Sequence, residues 1–275
     1  MHKLLLCVDY EKLCDTPTFR KNVERSCSSE KNEEIHFLAT EILLDILQKH
    51  DLTATFFVTA NICKDYPEEV KKIVERGHEI GCHGWAHEID SSRKEIIRAT
   101  NLLNRFTARS AYKLRGWAAP AAFVSERLLR IIGELGYCYD RSIFPRLPIF
   151  KGRKSFPRAP ITPHRISGQE IIEFPLPVVP GFRIPLSGPF LRLLGLKFNL
   201  FGYQQLLNQG SAVFYFHNWA LVNLTTNLPY WFRYQTGPGF VEMLNDFLHV
   251  VKDHWKVYIE PIGAYYERFR GELVN

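Results

Sequence analysis

The sequence predicts an α/β fold in which parallel strands are joined by crossover helices. Three observations predict it. The 275 residues lie within the usual size of a single α/β barrel. Apolar runs of strand character alternate with stretches of helical spacing. The strand-like runs also end on polar residues, as they do on the active face of a βα barrel. No internal repeat, low-complexity tract or linker breaks the alternation, so residues 1–275 are expected to form one domain.

The first apolar run, Leu4-Leu5-Leu6-Cys7-Val8, meets Asp9 too soon for a secretory h-region. Residues 3–9 are therefore read as a buried strand ending on Asp9-Tyr10-Glu11, and a polar loop follows to about residue 32. Residues 35–50 carry Ile35, Leu38, Ile42, Leu43, Ile46 and Leu47 at helical spacing, and residues 53–58 form the next strand. A helix over 67–77 has Pro67 at its start and Gly77 at its end. The strand Ile80-Gly81-Cys82 runs into His83, and charged residues 92–107 form a helix. Strand 112–117, helix 125–135 and a short strand 137–139 follow, the last delivering Asp140. Residues 145–168, rich in Pro and Arg, are expected to be irregular. Strand 170–176, an apolar segment helical from about residue 189, strand 211–216 ending at His217, helix 239–252 and a last strand 256–260 complete the chain.

Composition is that of a soluble globular protein, and no apolar segment is long enough to span a bilayer. The six cysteines form no CxxC pair. Reduced, buried thiols and a cytoplasmic compartment are expected, with a Cys14–Cys27 bridge as the alternative. The net charge of +6 is uneven: between residues 141 and 241 eleven Lys and Arg face only Glu170 and Glu173. That stretch is either a solvated basic loop set or a surface for anionic partners such as phosphate groups or an acidic membrane leaflet. Its cations have no aromatic platform for bases, so no nucleic acid is expected.

Strand ends collect Asp9 and Glu11, His83 and His87, Asp140, and His217. Two histidines four apart on a helical turn can reach one metal ion. Two His and one carboxylate leave positions open for water and substrate, the arrangement hydrolysis needs. Each residue also has a structural alternative. Asp9 and Glu11 could cap a helix, His217 could be a core histidine, and Asp140 could cap a turn. Trp85, Trp117 and Trp219, each beside a motif, could stack on a sugar or pack the core.

The stretches Asp9-Tyr10-Glu11, His83-Gly-Trp-Ala-His87, Gly116-Trp-Ala-Ala-Pro120, Tyr139-Asp140-Arg-Ser-Ile-Phe-Pro145 and Phe214-Tyr-Phe-His217 resemble, in order, the motifs of the polysaccharide deacetylase family (carbohydrate esterase family 4, the NodB-homology domain). The resemblance implies a distorted (β/α) barrel of about seven parallel strands. It implies removal of an N-acetyl or N-formyl group from an amino sugar, or cleavage of a related non-peptide amide. Carried over, Glu11, His83 and His87 bind Zn²⁺ or another divalent ion. Asp9 is the catalytic base, His217 the acid that protonates the leaving amine, and Asp140 sits beside His217. The Tyr10 backbone N–H meets the oxyanion. Glu11 places this chain with the branch of the family whose first motif reads Asp-x-Glu. In the third motif Ala118 stands where the family has an Arg paired with the catalytic carboxylate. Arg115 lies on the opposite face of the strand, so Asp9 is expected to lack that partner. This departure gives weight to a third reading, a non-catalytic carbohydrate- or lipid-binding barrel.

Residues 185–207 hold Phe190, Leu191, Leu193, Leu194, Leu196, Phe198, Leu200 and Phe201 with only Arg192 and Lys197 between them. They form either a buried barrel helix or an amphipathic segment at a membrane surface. With no export signal read, the second option suggests a lipid-linked amino sugar at the inner membrane face.

Overall fold

Strand β1 (Lys3–Tyr10) is the spine of the molecule, and its two faces do different work. In the computed structural model, which describes residues 2–15, 29–108, 110, 112–148, 155–224 and 228–273, its side chains alternate as strand geometry requires. Leu4, Leu6, Val8 and Tyr10 join the larger apolar cluster under the helices. Leu5 and Cys7 join a second cluster inside the curl of the sheet, and Asp9 follows on that same face.

The other strands are β2 (Thr55–Val58), β3 (Glu79–Cys82), β4 (Gly116–Trp117), β5 (Tyr139–Asp140), β6 (His164–Arg165), β7 (Ile172–Glu173), β8 (Ala212–His217) and β9 (Tyr258–Glu260). They form one sheet ordered β6-β7-β5-β4-β3-β2-β1-β8, with β9 added on β1. Every pairing is parallel except β6 with β7. Along β1, β8 pairs Leu4 to Asp9, β9 pairs Lys3 to Leu5, and β2 pairs Cys7 to Tyr10. The sheet is a curled, parallel-dominated half-barrel whose pairing path ends at β6 and β8.

Helices α1 (Ser29–Lys49), α2 (Ala60–Asp65), α3 (Pro67–Glu75), α4 (Arg93–Thr107), α5 (Glu126–Glu134), α6 (Gly188–Leu194), α7 (Leu196–Leu207), α8 (Tyr230–Arg233), α9 (Pro238–His249) and α10 (Ile262–Leu273) complete the fold. Local chemistry sets several of their starts. Ser92 and Glu95 form a reciprocal capping box on α4, and the Ser125 hydroxyl accepts the Leu128 N–H of α5. Among the described residues no helix is long and apolar enough to cross a membrane.

The interior is also closed by polar contacts. The Glu79 carboxylate accepts bonds from Thr55 Oγ1 and Tyr139 Oη, both 2.5 Å, and from the Gly263 N–H at 2.8 Å. Burial pushes its carboxyl up, and the bond from Gly263 ties α10 to the bottom of the barrel. Gly116 leaves room for this arrangement: a Cβ there would lie 2.3 Å from the Tyr139 ring.

Several boundaries differ from the sequence reading. The strands expected over 112–117, 137–139 and 170–176 shrink to the two-residue pairings Gly116–Trp117, Tyr139–Asp140 and Ile172–Glu173. The stretch 145–168 contains β6. Helix α10 was not foreseen, although Ile262, Tyr265, Tyr266 and Phe269 carry helical spacing. In the 185–207 segment one face is buried, with Leu191, Tyr203 and Leu206, while Leu193, Leu194 and Phe201 are exposed. Cys7, Cys63 and Cys82 are buried thiols; Cys27, and with it the Cys14–Cys27 pairing, lies outside the described residues.

Candidate metal centre and cleft

The C-terminal ends of β1, β3 and β8 bring together the Asp9, Glu11, His83, His87 and His217 side chains. Asp9 and His217 stand opposite each other in register across the β1–β8 ladder. Glu11 lies one residue beyond β1, on the face that Asp9 occupies. His83 follows β3, its N–H bonded to the Val58 carbonyl at 2.9 Å. The stretch from His83 to His87 is a turn, not the helical turn expected from the spacing. Gly84 has φ +77° and His87 φ +60°, and these left-handed residues swing the second imidazole back towards the first.

One donor atom each from Glu11, His83 and His87 lies within 4.8 Å of the others, and all three residues are buried. Glu11 Oε2 is 3.1 Å from His87 Nε2 and 3.6 Å from His83 Nε2, and it has no hydrogen-bond partner. His83 Nδ1 sits 2.7 Å from the Ala118 carbonyl. Donation to that carbonyl fixes the tautomer and leaves Nε2 as a free lone pair. Trp219 Nε1 donates to Glu11 Oε1 at 3.1 Å, and the Asn218 side chain accepts the Glu11 N–H. An orphaned buried carboxylate oxygen facing two imidazole nitrogens is the donor set of a divalent ion such as Zn²⁺, so the residues fit the metal.

Electrostatics follow from the crowding. Burial alone would raise the Glu11 carboxyl, but His87, His83 and His217 together hold it well below the usual carboxylate range. Burial brings His217 down to about 4 despite the carboxylates beside it. His217 Nε2 lies 3.8 Å from an oxygen of Asp9 and 3.8 Å from one of Glu11.

Asp9 does have a charge partner. Arg141, immediately after β5, is buried and bonds Asp9 Oδ1 through Nη2. Its guanidinium lies 4.7 Å from the Phe57 ring and 4.9 Å from that of Tyr215. The expectation that Asp9 stands unpaired because Ala118 replaces an Arg is therefore corrected: the cation arrives from a different strand. Arg115 pairs instead with Glu267 on α10.

Asp140 is not brought to His217. Neighbours on a strand face opposite ways, so with Arg141 turned inward Asp140 turns away. It accepts the Ser142 hydroxyl at 2.5 Å and stands in register with Glu173, which accepts the N–H groups of Ser142 and Ile143. Burial pushes both carboxyls up. Asp140 fixes the turn that carries Arg141.

The aromatic candidates divide. Trp219 lines the cleft, stacked on His217 at 4.7 Å between ring centroids. Trp117 is fully buried against Tyr137, and Trp85 lies beneath Arg98. Tyr10 is buried on the helix side, its hydroxyl at Thr40 and His36, and its carbonyl takes the Thr59 N–H in the β1–β2 ladder. Its ring does not line the cleft.

The cleft, a cavity of about 170 Å³, is walled by Ile89, Phe190, Leu193, Trp231 and Phe232 and includes Arg141 and Arg192. The sequence reading missed both arginines as site residues and counted them among the surface cations. The available signal was the place of Arg141 directly after a polar strand end.

Residues 38–139 match the polysaccharide deacetylase family model, and residues 142–254 match a domain of unknown function, DUF3473. The sheet runs unbroken across that boundary, which falls beside Arg141. The chain is 32% identical over 111 residues to the peptidoglycan-N-acetylmuramic acid deacetylase PdaA of Bacillus subtilis, covering 36% of this chain and 39% of that one. It spans about two fifths of the length of the curated relatives it matches. A Mycobacterium smegmatis protein assigned to the polysaccharide deacetylases shares the fold with a TM-score of 0.67 at 17% identity, over 99% of this chain and 92% of that one. PuuE allantoinase does so with a TM-score of 0.66 at 15% identity, over 96% and 90%.

Proposed function

We propose that this chain, whose residues 38–139 match the polysaccharide deacetylase family model, is a hydrolase that removes an N-acetyl group, or a related N-acyl group, from an amino sugar. One observation carries the reading: the Glu11, His83 and His87 donors converge within 4.8 Å, with the Asp9 and His217 side chains beside them. Names of relatives such as the Bacillus subtilis muramic acid deacetylase support the substrate class.

A divalent ion held by Glu11, His83 and His87 would supply Lewis-acid polarisation of the acyl carbonyl and acidify the attacking water. The chain's own groups handle the protons. Asp9, anchored by Arg141, is placed to take a proton from water as it adds to the carbonyl carbon. His217 Nε2, 3.8 Å from Asp9 Oδ2, can take that proton from Asp9 and pass it to the departing nitrogen. The amide C–N bond breaks and both protons of the attacking water end on the nitrogen, leaving a carboxylate and an ammonium group. The apolar wall, with the exposed Trp231 ring at its edge, offers stacking surface to a sugar.

The Arg141–Asp9 pair removes the observation that favoured a non-catalytic barrel. A lipid-linked form of the substrate, with contact to an anionic bilayer, is supported by the exposed Leu193, Leu194 and Phe201 beside the basic stretch. Flotation with anionic liposomes at low salt tests this, and absence of binding would count against it.

The deciding experiment is a screen of N-acetylated and N-formylated amino sugars for released acetate or formate, with metal content measured in parallel. The wild-type chain should hold close to one divalent ion and lose turnover in chelator. His83→Ala should abolish metal binding, whereas His217→Ala should keep the metal and lose turnover. Full activity in His217→Ala would remove it from the proton path.

A further inference from the structure

The cleft contains two buried arginines, and only one has its charge answered. Arg141 is paired with Asp9. Arg192, on α6, is 5% exposed and lines the same cleft. Its Nη1 donates to the backbone carbonyls of Phe232 at 2.8 Å and Tyr234 at 2.7 Å, while its Nε has no partner. Among the described residues no carboxylate pairs with it. The acids available between residues 141 and 241 are Glu170, which pairs with Arg165, and Glu173, which faces Asp140.

A buried cation without a counter-charge is costly, and two carbonyl bonds do not require a guanidinium. Burial lowers Arg192 only to about 10, so it stays charged at neutral pH. Its guanidinium lies 6.0 Å from the Trp219 ring, and Trp219 is stacked on His217. The charge therefore stands within two ring spacings of the reacting groups, the span of one or two sugar units.

We propose that Arg192 binds an anionic group of the substrate, so that the cleft selects an acylated amino sugar bearing a carboxylate or phosphate on the same or the adjacent unit. The planar fork of an arginine suits both oxyanions. The apolar wall around it strengthens the pairing by excluding water. The sugar part of this proposal rests on the hydrolase reading, and the charge part rests on the geometry of Arg192.

The test uses quenching of the cleft tryptophans Trp219 and Trp231 in titrations with three sugars: N-acetylmuramic acid, N-acetylglucosamine 6-phosphate and neutral N-acetylglucosamine. Each is measured with zinc-loaded and zinc-free protein, because an oxyanion can also bind the metal. Wild type should bind at least one anionic sugar about tenfold more tightly than the neutral one in both forms. Whether the carboxylate or the phosphate is preferred identifies the anion. In Arg192→Gln the preference should fall to within about threefold. If that variant does not fold, Arg192→Lys decides. Losing the fork, it should bind the preferred anion at least about threefold more weakly than wild type.

Equal wild-type affinity for all three sugars would overturn the proposal, as would no binding of either anionic sugar at about 10 mM. A preference that survives unchanged in the variant that folds would also overturn it, assigning the charge reading to Arg141 or the metal. The two readings fail separately. No acyl release from any sugar would sink the hydrolase and leave the binding result standing. Acyl release without charge preference would sink only the anionic subsite.

Discussion

Arg141 is held between two aromatic rings with its charge on Asp9, so its loss should be felt twice. Arg141→Met leaves a buried carboxylate uncompensated, which costs about 3–5 kcal/mol when the pair is broken from one side. The same change frees Asp9 to move, and turnover should fall by about a hundredfold or more. Urea unfolding and acyl-release rates measure the two effects; a variant normal in both would show that the pair does nothing. Trp219 offers a gentler perturbation. Trp219→Phe keeps the ring on His217 but deletes the Nε1–H that donates to Glu11. Loss of such an outer hydrogen bond to a ligand weakens metal affinity by about 10–100-fold. Competition with a chelator of known affinity should detect it, and unchanged affinity would mean that Asn218 alone orients Glu11.

At the scale of elements, the curl of the sheet depends on small residues where its interior is tightest. Gly116→Ala would put a methyl 2.3 Å from the Tyr139 ring, and overpacking of this kind costs about 1–3 kcal/mol. A lowered urea midpoint with an unchanged slope is the expected result; no change would mean that Tyr139 can leave Glu79 without cost. Residues of this type also explain how far the sequence could be read. The long strands β1 and β8 and helices α3 to α5 were legible, because apolar periodicity and caps such as Ser92, Pro67 and Ser125 are local signals. Strand-end position gathered Asp9, Glu11, His83 and His87 on one side of the barrel, and the family resemblance singled out Glu11 with the two histidines. The conformation of the His83–His87 loop was not legible, because spacing four fits a left-handed turn as well as a helical one. Nor was the Arg141–Asp9 pair, which joins residues from strands that do not adjoin in the sheet. The resemblance placed Asp140 beside His217, but a strand end tells only which end of the barrel a residue serves, and with Arg141 turned inward Asp140 turns away.

For the molecule as a whole, two histidines outside the cleft should set the response to acid. His36 is buried between the Tyr10 hydroxyl and the Tyr66 ring, stacked at 4.7 Å. Burial and then the nearby Lys12 bring it down to about 4. His78 is buried against Phe56 at the other end of the barrel, and burial followed by Arg76 brings it to about 4 as well. In the unfolded chain each titrates near 6.5. Between pH 6.5 and 4 the unfolded state therefore binds more protons than the folded one, and stability falls with falling pH. At pH 5 each histidine should have cost about 2 kcal/mol relative to neutral pH. The buried carboxyls of Glu79 and Glu173, pushed up by burial, act with the opposite sign. They bind protons more readily when folded and recover stability as pH falls, so the wild-type curve alone cannot separate the two. The comparison that separates them is wild type against a His36→Gln, His78→Gln double variant, unfolded in urea at pH 7.5 and pH 5. The variant should lose less stability on acidification than wild type, by about 4 kcal/mol. Parallel losses in the two proteins would mean that the buried imidazoles are already protonated in the folded chain, and that the rings around them are not the dry environment the packing describes.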